Sequence, residues 1–298
     1  MTRATRDRDA ECAIAQAAAV VGDWWSLLIV REVARGQHRF EDLHRELGIS
    51  RKVLTERLRG LVDHDVLARH LYQDGPARYE YRLTAAGQGL TSVLISMQDW
   101  ADRWLLGDST VTGVAPDDGP TAHRVHALRG TRVLDPLELP AVGGGSLDVV
   151  ATDASATVLF AYPATGIPAP LPPGWADIPG AAGCTLENRL FRDAAPEFAA
   201  ASVALRGVST QRPDEQAAFA AAEDITHPLL SDQELRLAAA LRLPTFRAGQ
   251  SLRLRRAVLI LDPDRTVREV IFPVLDIPAA VRDALRIGSQ IASAAARA

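Results

Sequence analysis

Along the first part of the chain, to about residue 107, apolar positions recur at helical spacing, and polar residues mark where each helix starts and stops. Trp24, Leu27 and Leu28 lie on one such segment with Arg31 and Glu32. Phe40, Leu43 and Leu47 make a second, short amphipathic run that Gly48 stops. Ser50 is suited to cap a third helix, whose inner face is Val53, Leu54, Leu58, Leu61 and Val62. The period then changes to two. Val66 to Tyr72 and Tyr79 to Leu83 flank Asp74-Gly75-Pro76, which predicts a two-stranded hairpin. Thr84 caps a longer helix through Leu90, Leu94, Met97, Trp100 and Trp104.

Residues 107–121 lose this periodicity and have the composition of a linker. Beyond them strand and helix patterns alternate. Residues 157–162 read as a buried strand, 184–201 as a helix and 202–208 as a strand. Helices follow at 212–222 and 233–241. Strands at 256–261 and 267–274 flank the turn Asp262-Pro263-Asp264, and 278–296 is a final helix. That order predicts an α/β domain with a mixed central sheet. The expected organisation is one domain over 1–107, a linker over 108–126 and a second domain over 127–298, lengths that each bury a core.

Composition narrows the classes. The chain has 298 residues, 47% of them hydrophobic, and a net charge of -4. No run approaches the ~18 uninterrupted apolar residues of a membrane span. Met1 to Glu11 carries both signs of charge and no apolar signal-type run. A cytoplasmic protein with no membrane partner is expected. The charge does not announce nucleic acid, so any DNA contact must come from a local patch. Lys52 is the only lysine. Seven histidines show no metal-ligand spacing, and His123-x-x-His126 at the linker edge reads as solvated. Gly143-Gly144-Gly145 reads as a turn, without the helix-opening context of a phosphate site. No cofactor and no metal is expected. The two cysteines, Cys12 and Cys184, do not make a disulfide framework.

Helix, short helix, Ser-capped helix and hairpin is the order of a winged helix-turn-helix. The third helix can enter the major groove while the hairpin reaches the flanking backbone. Ser50, Arg51, Lys52, Thr55, Arg57 and Arg59 sit on that helix, and Arg69, Arg78 and Arg82 on the hairpin. Residues 51–82 hold seven basic and five acidic side chains, an excess that fits a DNA face or an ordinary solvated one. Cys12, Val21 to Glu32, Arg39-Phe40, Ile49 to Leu58 and Tyr79 to Thr84 together resemble, in order and spacing, the HxlR family of bacterial transcriptional regulators. The resemblance covers roughly residues 10–107. It implies an α+β winged helix-turn-helix that binds operator DNA as a homodimer, its first and last helices pairing the protomers. In some members a cysteine matching Cys12 senses oxidants, which makes Cys12 a redox-sensing candidate beside the alternative of a structural thiol.

In the second domain, Cys184 opens the 184–201 helix. A thiol at a helix N-terminus is favoured as thiolate, and a nearby arginine favours it further. A thiolate attacks a peroxide O–O bond to give a sulfenic acid. Tyr162-Pro163, Gly183-Cys184-Thr185, Glu187, Phe191-Arg192-Asp193, Gly207 to Thr210, Pro228 to Asp232 and Arg256 to Ile260 resemble AhpC/TSA peroxiredoxins of the bacterioferritin-comigratory branch. This resemblance spans about residues 127–292 and implies an α/β thioredoxin-like fold. By it, Cys184 is the peroxidatic nucleophile, Arg256 its activating cation and Pro163 a lid. The family places proline seven residues before the cysteine. Here Pro163 precedes Cys184 by 21, with a proline-rich insertion over Gly166 to Gly180, so Thr165 becomes the candidate for the peroxide-orienting hydroxyl. The position that often holds a resolving cysteine is Arg189. A sulfenic acid at Cys184 must then be resolved by an external thiol reductant, by a partner protomer or by Cys12. The expected function is a redox-responsive DNA-binding regulator. The alternative is a thiol peroxidase whose first domain serves dimerisation or localisation.

Overall fold

The computed structural model describes residues 12–105, 119–134, 136–166, 171, 175, 183–248 and 251–295. Most of the expected linker (108–118) and of the proline-rich insertion lies outside the described residues. The chain divides into two compact units, residues 1–94 and 95–298.

In the first unit, α1 (Ala13–Val21), α2 (Trp24–Ala34), α3 (Phe40–Leu47) and α4 (Arg51–Asp63) precede the hairpin β1 (Leu67–Asp74) and β2 (Ala77–Leu83). The helix α5 (Ala85–Trp104) then begins, and the division between units falls inside it. Local chemistry explains the boundaries. The Asp23 carboxylate accepts from the amides of Trp25 and Ser26 at 3.0 and 3.1 Å and starts α2. Ser50 Oγ accepts from Val53 N at 3.4 Å and starts α4. Gly48, at φ 61°, ends α3 in the left-handed region that glycine tolerates. Thr84 Oγ1 accepts from Gly87 N at 3.1 Å at the start of α5. Ile29, Val30, Leu43, Leu54, Leu58, Leu61 and Leu67 form the core, which fixes α4 with its opposite face outward.

The second unit is built on a five-stranded sheet, in the order β11 (Val267–Ile271), β10 (Ala257–Leu261), β5 (Ala156–Ala161), β6 (Val203–Ser209), β7 (Leu229–Ser231). Strands β5, β6 and β7 run parallel, and β10 is antiparallel to both β5 and β11. Every residue of β5 is buried, as expected for a strand covered on both faces. The helices α7 (Cys184–Ala200) and α10 (Ile277–Ala295) pack on each other and on this sheet, and α8 (Pro213–Ala222) lies against β7. Gly207 pairs with Phe160 in the register, and a Cβ there would meet Phe160 Cζ at 2.8 Å and Leu229 Cδ2 at 2.7 Å. The glycine leaves room for the Phe160 ring, which stacks on Phe191 with centroids 4.0 Å apart.

Smaller elements surround this sheet. A hairpin of β3 (Glu138–Pro140) and β4 (Ser146–Asp148) and another of β8 (Thr245–Ala248) and β9 (Ser251–Leu254) were not expected from the sequence. Residues 120–126, read above as the end of the linker, instead form α6 (Pro120–His126), with Ala122 and Val125 fully buried. The helix expected over 233–241 is shortened to α9 (Arg236–Leu241), because Leu235 takes a positive φ of 57° and the Asp232 carboxylate caps Leu237 and Ala238 at 2.9 Å each. No single helix among the described residues is long and apolar enough to cross a membrane.

Candidate thiol site and nucleic-acid interface

Three elements converge on Cys184. Strand β5 ends in the buried run Tyr162-Pro163-Ala164-Thr165. Helix α7 begins at Cys184 after Gly183, whose φ of 99° turns the chain into the helix. Arg256 stands immediately before β10. The Arg256 Nη2 donates to Cys184 Sγ at 3.3 Å, and its Nη1 pairs with the carboxylate of Glu187, one helical turn along α7. The Ala164 backbone N–H also donates to the sulfur. Asn188 Nδ2 donates to the Cys184 carbonyl at 2.9 Å and braces the first turn. Cys184, Arg256 and Glu187 are each at most 3% exposed. The structure therefore brings together Cys184, Arg256 and the Pro163 loop.

The electrostatics add an effect that the sequence does not display. Burial pushes the Cys184 thiol up, and Glu187 pushes the same way, against the pull of Arg256 and the Ala164 amide. Burial thus opposes the thiolate that the helix N-terminus and the cation favour. The helix N-terminus and the cation are where they were expected, but the site is sealed and Arg256 already shares its charge with Glu187. Burial also pushes Glu187 up to about 7 despite Arg256. Burial works against the Arg256 charge too, but Glu187 and Cys184 outweigh it and hold the guanidinium ionised.

Thr165 sits in a clamp made by Gln211. Its amide and its hydroxyl donate to Gln211 Oε1 at 2.8 and 3.2 Å, and Gln211 Nε2 donates back to the Thr165 carbonyl at 3.1 Å. The hydroxyl proton is thus engaged with Gln211, and a peroxide-orienting role requires it to exchange partners. Sequence reasoning missed Gln211 and Asn188, and also His227. That ring is buried, lies edge-on to Phe160 with centroids 5.4 Å apart, and faces Asn188 Oδ1 at 3.5 Å.

On the first unit, Arg51, Lys52, Thr55 and Arg59 all occupy the exposed face of α4. The structure also partners most of them. Arg51 makes a two-pronged contact with Glu41 of α3 at 2.8 and 2.6 Å. Arg59 faces Asp63 at 3.7 Å, and the Thr55 hydroxyl donates to the Arg51 carbonyl at 2.8 Å. Arg57 departs from the expected outward face. It is half-buried and pairs with Asp23 at 3.1 Å, the same carboxylate that caps α2, so it braces α4 against α2. Ser50 is engaged as the helix cap. Arg78 is exposed on β2, within electrostatic reach of Glu41, and Arg69 stacks over the Tyr79 ring at 4.1 Å. Cys12 is exposed at the start of α1.

The first unit is a helix-turn-helix with a wing, and the second is a mixed-sheet, thioredoxin-like unit carrying a buried Cys–Arg–Glu cluster. The chain belongs to the HxlR-like helix-turn-helix family, whose model matches residues 20–109, and residues 178–270 match the model of the AhpC/TSA family. Over 92 residues, 31% of this chain, it is 42% identical to an uncharacterized HTH-type transcriptional regulator of Mycobacterium tuberculosis, of which it covers 58%. A similar regulator of Synechocystis is 37% identical over 125 residues, 40% of this chain and 93% of that protein. A putative peroxiredoxin of Mycobacterium tuberculosis is 35% identical over 114 residues, 38% of this chain and 65% of that protein.

Proposed function

We propose that the protein is a redox-responsive transcriptional regulator in which Cys184 reacts with hydroperoxides. The observation that carries this reading is the Arg256 Nη2 to Cys184 Sγ contact of 3.3 Å inside a sealed site, with the Ala164 amide on the same sulfur. The sulfur attacks the terminal oxygen of ROOH. The S–O bond forms, the O–O bond breaks, and the thiol proton ends on the departing alkoxide, giving Cys184-SOH and ROH. The sulfur is oxidised and the peroxide reduced. Arg256 and the Ala164 amide are placed to stabilise charge on sulfur and oxygen as it develops. A low-molecular-weight or protein thiol reductant then attacks the sulfenic acid, releasing water, and a second thiol restores Cys184. Pro163 and Thr165 flank Ala164, whose amide meets the sulfur.

The DNA-binding face is proposed as α4 with Ser50, Arg51, Lys52, Thr55 and Arg59, flanked by Arg78 of the wing, and Arg57 supporting from behind. The domains proposed are 1–107 and 127–298, with the short helix α6 between them. Exposed apolar residues on α1 and α5, among them Ile14, Val93, Met97 and Trp100, suit pairing of two protomers. Cys12, exposed at the start of α1, is a second place where oxidation reaches the DNA-binding domain. Operator binding of reduced and peroxide-treated protein tests the reading, with Cys12→Ser and Cys184→Ser beside wild type. Oxidation should change the affinity of wild type and not of Cys184→Ser. An affinity that is the same in both states, together with rapid thiol-dependent peroxide turnover, favours the thiol peroxidase reading instead.

A further inference from the structure

The hairpin β8–β9 adds a second cation to the surroundings of Cys184. Phe246 of β8 and Arg253 of β9 are directly opposed in the hairpin register, so their side chains leave it on the same face. Phe246 is buried in a small apolar cluster with Ala164 and Trp175, its ring centroid 6.1 Å from that of Trp175. Ala164 is the residue whose amide donates to Cys184 Sγ. Arg253 thus stands beside the apolar wall that adjoins the sulfur, and it is within electrostatic reach of Cys184.

Its polar partners are few. Nη1 donates to Thr210 Oγ1 at 3.4 Å, a hydroxyl that itself donates to the Leu252 carbonyl at 2.8 Å. Nε is buried and meets no acceptor among the described residues. A carboxylate in electrostatic reach, Glu215, already accepts from the Arg212 amide at 3.0 Å and faces the Arg212 guanidinium at 3.7 Å. Burial works against the Arg253 charge, with only distant attraction to Glu215 and Cys184 to offset it. A half-buried guanidinium with an orphaned donor is completed by an anion that brings two oxygens.

We propose that Arg253 is an anion subsite of the Cys184 site, and that the preferred oxidant is an organic hydroperoxide bearing a carboxylate. The apolar wall of Phe246 and Trp175 takes the hydrocarbon between the two polar ends. Arg253 receives the carboxylate while the hydroperoxide meets Cys184. The inference rests on the peroxide reading of Cys184, and it adds which peroxides that site takes.

The test compares one carboxylate-bearing hydroperoxide with its neutral methyl ester, measuring the rate of Cys184 oxidation by each. Wild type should react about tenfold faster with the acid, and the ratio should fall as salt is raised. In Arg253→Gln the acid-to-ester ratio should fall about tenfold, the scale of one lost charge-assisted contact, and Arg253→Lys should retain most of it. A ratio in Arg253→Gln within twofold of wild type overturns the proposal, because Arg253 then acts on the sulfur or the fold alike for both substrates. If Arg253→Gln does not fold, the wild-type ratio and its salt dependence decide: no preference for the acid overturns the subsite. Reaction with the ester but without acid preference removes the subsite alone. Reaction with neither peroxide removes the peroxide reading and the subsite with it.

Discussion

A buried arginine between a carboxylate and a thiol sets the chemistry of Cys184. Glu187 and Cys184 compete for the same guanidinium, so removing either partner changes what the other feels. In Glu187→Gln the like charge beside the sulfur is gone, and the pH profile of Cys184 alkylation should move to lower pH. In Arg256→Gln it should move to higher pH, and the peroxide reaction should slow on the order of 100-fold, the usual effect of losing one preorganised charge-stabilising donor. Alkylation rates across pH read both. Movement of the two profiles in the same direction would falsify the shared-cation picture. Cys184 and Arg256 were legible in the sequence because each lies in a local motif. Gln211 and Arg253 were not, because the fold draws them to the site from separate elements, and Asn188, one turn from Cys184 on the same helix, has no pattern of its own. The upward push on the Cys184 thiol was illegible for a related reason: burial is a property of the closed structure.

Helices of three or more turns announce themselves through a repeated apolar stripe, and α2, α4, α5, α7 and α10 were all readable. Strands of three or four residues, such as β3, β4 and β9, are too short to show alternation. Helix α6 spans only two turns and begins at a proline, so its residues read as linker. Element boundaries carry their own predictions. An alanine Cβ at Gly183 would meet Ile277 Cδ1 at 2.6 Å and impose a side chain on a φ of 99°. Gly183→Ala should therefore destabilise the second unit by about 1–3 kcal/mol, measured by urea unfolding, and should also slow the Cys184 reaction, since this residue aims the helix. On α4, Arg57 is held by Asp23 whereas Lys52 is exposed. Lys52→Ala should lower the salt slope of operator binding by about one, seen in titrations at several salt concentrations. Arg57→Ala should chiefly lower thermal stability. An equal loss of salt slope in both variants would place Arg57 on the DNA face after all.

For the molecule as a whole, buried titratable groups pull stability in opposite directions with pH. Burial pushes Glu187 and Asp232 up to about 7, from the ordinary carboxylate range near 4. Between those values the native state keeps protons that the unfolded chain has released. Their contribution is full below about pH 4 and is lost as pH rises towards 7. His227 acts the other way. Burial, aided by Arg192, lowers it to about 4, against ~6.5 unfolded, so its contribution is present above pH 6.5 and is lost as pH falls towards 4. In His227→Phe the ring on Phe160 is kept and that loss is removed. The stability of the variant relative to wild type should rise between pH 6.5 and pH 4, by up to ~3 kcal/mol. Urea unfolding at several pH values checks it, and a difference that stays flat across the window excludes His227 as the group responsible.

Lys52 stands alone on the exposed face of α4 as the one lysine in 298 residues. Amine-selective acylation therefore has a single side-chain target, and that target lies on the surface proposed for the operator. Shielding of Lys52 by bound DNA and the oxidation states of Cys12 and Cys184 can be read from the same digest. The chain carries its own occupancy label next to its own redox labels, and no foreign probe has to be introduced into either domain.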